Sequence, residues 1–96
     1  MTASQNYSEA MIKKWGPNRA VRSEVETLCD QLGQHRWQLG LQGMGLWSSA
    51  AKWGPAVLEI LRAEVAKGAI GKVQYKRRGE VAQKVHDAIV AVRAAK

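Results

Sequence analysis

The chain has 96 residues, of which 46% are hydrophobic and 24% charged, and this is the size and composition of one globular domain. A formal net charge of +7 and an isoelectric point near 10.0 favour a polyanionic partner, with nucleic acid ahead of an anionic membrane or an acidic protein. A single cysteine excludes an intramolecular disulfide, and no stretch has the length and apolarity of a membrane span.

The positive charge is concentrated in the second half of the chain. Residues 1–48 carry five basic and four acidic side chains, whereas residues 49–96 carry ten basic and four acidic ones. A polyanion is therefore expected to bind the second half. The N-terminus has no signal-peptide pattern, so we expect a soluble protein of a reducing compartment, the cytoplasm (the host cytoplasm if the protein is viral).

The predicted elements begin with a flexible polar segment, residues 1–7, and residues 8–96 are expected to form a single helical domain. A short helix is predicted from Ser8 to the first of two KWGP sequences, at 14–17 and 52–55. Proline at the first position of a helix loses no hydrogen bond, so Gly-Pro suits a helix start. Both copies are therefore interpreted as corners between helices, not as a binding motif or a repeat.

The helix pattern is clearest for residues 17–32, where apolar residues recur at helical spacing and a glycine follows as a stop. Cys29 lies beside the apolar stripe and is expected to be an inert core residue. Residues 34–53 contain several glycines and fit either a helix or a strand. A helix is favoured here, in which Gly40 and Gly43 let a neighbouring helix approach.

Two further helices are predicted in the second half. Residues 55–67 form the first, residues 69–77 are expected to be extended or looped, and residues 79–95 form the last helix around a stripe of valine and isoleucine. The predicted fold class is therefore all-α, a small bundle of four to five helices with short connections. A dimeric bundle is one form that it can take.

A basic segment is the main candidate site. Residues 67–78, KGAIGKVQYKRR, hold five basic side chains and no acidic one. Such a cluster attracts phosphates irrespective of base sequence, and the tyrosine within it can stack on a base or sugar. A solvated loop whose charges only keep the protein soluble is the alternative, but the charge of the whole chain favours binding. The predicted nucleic-acid contacts are Arg36, Lys67, Lys72, Tyr75, Lys76, Arg77, Arg78 and Lys84.

No arrangement of residues points to catalysis or to a cofactor. Arg22 and Glu26 are four apart and form an ordinary helix-surface pair, and no nucleophile, phosphate-binding loop or triad occurs. His35 and His86 have no cysteine or carboxylate partner at ligand spacing. We therefore expect that the protein is not an enzyme and that it binds neither a cofactor nor a metal.

Residues 16–32, GPNRAVRSEVETLCDQL, resemble a helix of the small RNA-silencing suppressors of insect nodaviruses, and residues 54–61, GPAVLEIL, are similar to a later helix start of that family. The resemblance implies a dimeric helical bundle that lies along double-stranded RNA and shields it from dicing without reading its sequence. Arg36 falls near a basic position of the family's long helix. Gly43 stands where another basic residue is expected, so residues 67–78 would have to contribute more.

The sequence thus predicts a sequence-independent binder of double-stranded RNA, a homodimer, and leaves two alternatives. One is a small viral or phage inhibitor whose basic face covers an acidic surface of a host protein. The other is a DNA-binding repressor with residues 79–95 as its recognition helix, although no helix-turn-helix spacing precedes them.

Overall fold

The computed structural model describes the backbone of residues 3–95 and the side chains of residues 16–43 and 45–95. This part of the chain contains helices and no strand, so the predicted all-α fold is confirmed. The helices are α1 (Ala3–Leu32), a 3-10 helix (Arg36–Leu39), α2 (Met44–Trp47), α3 (Ala50–Ala66) and α4 (Tyr75–Ala94).

Helices α1 and α3, which form the most extensive helix–helix contact, run in the same direction. Asn18 of α1 bonds to the first turn of α3, and the carbonyl of Leu32, at the end of α1, accepts a hydrogen bond from the backbone of Ile70, just beyond α3. The segment between α1 and α3 therefore has to return along the length of a helix. The core forms between α1, α3 and α4, with Trp53 of α3 as its largest fully buried side chain.

Both KWGP sequences lie inside helices, so their interpretation as corners is wrong. Pro17 is within α1, and Pro55 is within α3. A proline normally pushes the residue before it out of the α region, partly through contact with the Cβ of that residue, and glycine has no Cβ. Gly16 and Gly54 therefore let the helices continue. The carbonyl that loses its partner to Pro55 belongs to Ala51, which is exposed to water.

Gly54 also marks the place where α3 crosses α1. It is buried, and a Cβ on it would lie 2.6 Å and 2.7 Å from the two methyl carbons of Val21. One turn earlier on α1, the side-chain oxygen of Asn18 accepts a hydrogen bond from the backbone N–H of Ala51 (2.8 Å), and its amide donates to the carbonyl of Ser48 (3.1 Å). Asn18 thus satisfies a free amide in the first turn of α3 from the neighbouring helix.

The residues between α1 and α3 form neither the predicted long helix nor a strand. Gly40 (φ 77°) ends the 3-10 helix and Gly43 (φ 98°) precedes α2, both in backbone conformations that glycine adopts at little cost. Among the described residues, no atom beyond the adjacent ones lies within 4 Å of where a Cβ would stand on either glycine. The prediction that they admit a neighbouring helix is therefore wrong, and the segment is anchored instead by buried Leu39 and Leu41.

The remaining helix boundaries differ from prediction at their starts. α1 begins at Ala3 instead of Ser8, α3 at Ala50 instead of residue 55, and α4 at Tyr75 instead of residue 79. The tyrosine and basic residues at 75–78 therefore form the first turn of α4, not a loop. The predicted flexibility of residues 1–7 stays a prediction, because residues 1 and 2 and the side chains before Gly16 lie outside the described part.

Candidate nucleic-acid interface

A buried carboxylate organises the basic residues where α3 ends. Glu64 is only 3% exposed; its oxygens accept hydrogen bonds from Lys67 Nζ (3.0 Å) and Arg77 Nε (3.3 Å) and lie 3.6 Å from Lys84 Nζ. Burial by itself raises the pKa of the Glu64 carboxyl, but the bond and charge of Lys67, with Arg77 and Lys84, outweigh it and hold the pKa below its ordinary value of 4.5. One ionised carboxylate therefore fixes three cations.

Arg77 joins the end of α3 to the start of α4. Besides Glu64 Oε1, its guanidinium donates to the backbone carbonyls of Glu64 (3.0 Å), Gly68 (2.8 Å) and Ala69 (3.2 Å). The last carbonyls of a helix have no partner within it, and a cation near them also interacts favourably with the helix dipole. The side chain of Arg77 is 22% exposed, and its hydrogen-bonding groups are directed at the protein itself. Of the predicted nucleic-acid contacts, Arg77 therefore contributes most to the structure of the protein.

The other predicted contacts of this region face solvent. Lys72, Tyr75 and Lys76 are exposed, and the half-buried Arg78 places its guanidinium 5.0 Å from the centre of the Tyr75 ring. Within the described part of the chain, no acidic group forms an ion pair with Lys72, Lys76 or Arg78. We define the basic cluster as Lys67, Lys72, Lys76, Arg77, Arg78 and Lys84.

Three residues of the basic cluster lie in the first turn of α4, and the N-terminus of a helix ordinarily favours negatively charged side chains. Free N–H groups and the helix dipole make the N-terminus of α4 positive, yet its first turn contains no acidic residue and residues 76–78 are basic. Each such charge–dipole interaction, typically about 0.3–1 kcal/mol, is unfavourable here. An anion bound at this end would reverse that penalty, because it would meet both the cations and the free amides.

Glu64 is the residue of this site that the sequence prediction missed, although a signal was present. Val57, Leu61 and Glu64 follow one another at i, i+4 and i+7, which places Glu64 on the same buried stripe as the two apolar residues. A carboxylate at such a position needs cationic partners, since an unpaired buried charge is very costly. The spacing therefore indicates an ion-pair centre within α3.

None of the described ion pairs joins Arg36 to the basic cluster. Its Nε is 3.4 Å from Glu26 Oε1 of α1, and its guanidinium is 5.6 Å from the centre of a Trp47 ring. Arg22 of α1 has an equivalent position, 3.3 Å from the same oxygen and 5.7 Å from the same ring. The structure therefore divides the predicted contacts between two surfaces.

The second surface is a groove between α1 and the segment that runs from the 3-10 helix to α2, with a volume of about 870 Å³. Its lining includes the buried Leu41 and also Trp37, which is 62% exposed. We call it the arginine–tryptophan groove after five of its residues, Arg19, Arg22, Arg36, Trp37 and Trp47.

Comparisons with protein families, with curated proteins and with solved structures give no match to this chain. Over the described residues, no set of three or more His, Cys, Asp or Glu side chains is placed to hold a metal ion. None of the helices described above combines the length and the apolar character needed to cross a membrane. The chemistry that the two surfaces offer is the binding of anions, with aromatic rings beside the cations.

Proposed function

We propose that this protein binds double-stranded RNA through the basic cluster and does so without reading the base sequence. The observation that carries the proposal is the charge of the cluster. Residues 64–84 carry six basic side chains and two acidic ones, Glu64 and Glu80, which leaves a net charge of +4 at the junction of α3 and α4. Three of the six cations are held by the buried carboxylate of Glu64. Cations that neutralise phosphates release condensed counterions, and this release supplies most of the affinity of sequence-independent binding.

The way in which the cations are held supports contact with a duplex backbone. Glu64 orients Lys67 and Lys84, whose side chains are still 61% and 55% exposed, and Arg77 ties two helix ends together. The charges therefore lie on an ordered junction instead of a flexible tail. In A-form RNA the major groove is too narrow for side chains, so proteins follow phosphates and 2′-hydroxyls by shape. Tyr75 adds a flat surface for a sugar or an exposed base.

The proposal includes the finer features that the resemblance of residues 16–32 and 54–61 implies, namely a homodimer and a role as a viral suppressor of RNA silencing. Two copies would extend the line of phosphate contacts along one duplex. The cytoplasm is the proposed location, since the one cysteine, Cys29, is a free thiol buried in the core. Light scattering at several protein concentrations measures the oligomeric state.

The test is a titration of the protein with duplex RNA, duplex DNA and single-stranded RNA of matched length at two salt concentrations. We expect duplex RNA to bind most tightly, with a slope of log association constant against log salt of about −4 to −5, corresponding to roughly five neutralised phosphates. The variant Lys72→Ala/Lys76→Ala/Arg78→Ala should reduce the size of this slope by about 2–3. Arg77 is left in place because it supports the fold.

A matched control removes three exposed cations outside the basic cluster, in the variant Lys52→Ala/Arg62→Ala/Arg93→Ala. Both variants lower the net charge from +7 to +4, so a difference between them reports on position and not on total charge. Equal losses of affinity would refute the basic cluster as the binding surface. Preference for duplex DNA would favour a repressor, and no binding to any of the three at low salt would favour an acidic host protein as the partner.

A further inference from the structure

We propose that the arginine–tryptophan groove binds an unpaired nucleotide at the end of an RNA duplex. The base would stack on Trp37, and its phosphate would be held by Arg19 and Arg36. The inference deepens the proposed function and rests on it for the identity of the ligand as RNA.

Trp37 presents an aromatic face that the fold leaves uncovered. The residue is 62% exposed although its backbone is held in the 3-10 helix. The ring stacks on His35, with centroids 6.1 Å apart and planes 11° from parallel. Trp37 lines the groove and His35 does not, so a planar group in the groove would extend an existing stack. Stacking of this kind accepts any base, because every base has a π-face.

The floor of the groove is fixed by the core and suits a flat, apolar group. Leu41 is buried, and the half-buried Trp47 packs against core Trp53 with ring centroids 5.3 Å apart. The volume of about 870 Å³ falls within the roughly 300–1,000 Å³ of sites that hold small organic ligands. Such a groove accommodates a nucleotide but not a base-paired helix, so it would select an unpaired end.

The cations of the groove supply the site for a phosphate. Arg22 and Arg36 share Glu26, and both lie above the Trp47 ring, so their positions are set by the protein. Arg19 is exposed, and no described acidic group pairs with it. Three arginines and one glutamate leave a net charge of +2. An acidic peptide would satisfy the arginines alone, whereas a nucleotide also supplies the flat ring that the open face of Trp37 fits.

The experiment compares blunt duplex RNA with a duplex of the same length that carries a short single-stranded tail. In the wild type the tail should raise affinity by roughly five- to 150-fold, the range for stacking one base on an aromatic ring, and should quench tryptophan fluorescence. Trp37→Ala should lose both effects and keep its affinity for the blunt duplex. Trp37→Tyr keeps a flat ring and should restore part of the preference. Thermal unfolding shows whether each variant is folded.

The variant Lys72→Ala/Lys76→Ala/Arg78→Ala is the control, since it should weaken both duplexes and keep their affinity ratio. Equal wild-type affinity for blunt and tailed duplexes would overturn the groove inference and leave the proposed function standing. Binding of the isolated single-stranded tail and of the tailed duplex, but not of the blunt duplex, would refute the proposed function. If that binding were lost in Trp37→Ala, it would support the groove. A peptide of glutamate and tryptophan serves as the competing ligand. If the wild type bound this peptide more tightly than tailed RNA, and Trp37→Ala lost the peptide binding, the inference would be overturned in favour of a protein partner.

Discussion

Replacing Gly54 by alanine tests the closest contact between α1 and α3. The added Cβ would lie 2.6 Å and 2.7 Å from Cγ1 and Cγ2 of Val21 and 3.2 Å from its Cβ. Non-bonded carbon atoms pack at about 3.5–4.0 Å, so the helices or the valine must move by roughly 1 Å. Rotation about χ1 of Val21 gives little relief, because both methyl groups are in contact and valine in a helix has one strongly preferred rotamer.

Two opposing effects set the size of the change. Alanine is favoured over glycine within a helix by about 1 kcal/mol, whereas overpacking a tight contact costs about 1–3 kcal/mol. The contact is short on a stiff side chain, which places the cost in the upper part of that range. We therefore expect Gly54→Ala to lower the free energy of unfolding by about 1–2 kcal/mol despite the better helix propensity of alanine.

Val21→Ala completes a double-mutant cycle. Loss of two methyl groups from this half-buried side chain costs about 1.5 kcal/mol by itself, at about 0.8 kcal/mol per group, but it makes room for the new Cβ. Gly54→Ala introduced into Val21→Ala should therefore be neutral or stabilising by up to about 1 kcal/mol. Urea unfolding followed by circular dichroism gives the four free energies, with an unchanged m value. Additivity within about 0.5 kcal/mol, or a stabilised Gly54→Ala, would refute the close crossing.

Three further predictions concern ionisable groups. The pKa of Glu64 is lowered on folding, so the stability it contributes is complete above about pH 4.5 and is lost as the pH falls through the folded-state pKa. Glu64→Gln should flatten the acid side of a curve of unfolding free energy against pH, and a curve that falls as the wild type's does would contradict this. Arg77→Ala should lower the free energy of unfolding by about 2–3 kcal/mol. Lys76→Ala removes the same charge from the adjacent residue and should change the free energy of unfolding by less than about 0.5 kcal/mol. Equal shifts of the two variants in thermal unfolding would rule out the role of Arg77 as a cap of α3. Burial, followed by the charge of Asp30, raises the pKa of the Cys29 thiol to about 11. A thiol reagent at mildly alkaline pH should therefore label Cys29 only when the protein is unfolded in urea. Rapid labelling of the native protein would show that the thiol is not buried.

The fold was predictable where an apolar stripe runs without interruption. Val81, Val85 and Ile89 have the helical spacing that the sequence indicates, and all three are buried. Local rules failed at KWGP, because the preference of Gly-Pro for a helix start is weaker than the tertiary contacts of the helices. Gly54 is required by the methyl groups of Val21, a residue that lies far away in sequence.

The candidate site was predictable in its charge but not in its division of roles. Lys76 and Arg77 are adjacent and carry the same charge. Lys76 is exposed, whereas Arg77 caps the last carbonyls of α3, and only the folded structure shows which of the two reaches those carbonyls. Of the residues that give the arginine–tryptophan groove its name, only Arg36 was among the predicted contacts. It combines Arg19 of α1 with Trp37 and Trp47, which lie in the glycine-containing segment whose pattern fitted both a helix and a strand.

Because α1 and α3 are parallel, the contacts between them close longer loops of the chain than the contacts between α3 and α4 do. The two sets of contacts therefore differ in the entropy lost on loop closure. Bonds between α1 and α3 join residues far apart, 33 positions from Asn18 to Ala51 and 38 from Glu24 to Arg62, whereas Glu64 and Arg77 are only 13 apart. Closing the longer loops costs about 1 kcal/mol more, since closure entropy grows as the logarithm of loop length. We expect the hairpin of α3 and α4 to form first, so that Val21→Ala changes the unfolding rate more than the refolding rate. In that order of events, the basic cluster is complete before α1 docks to build the groove.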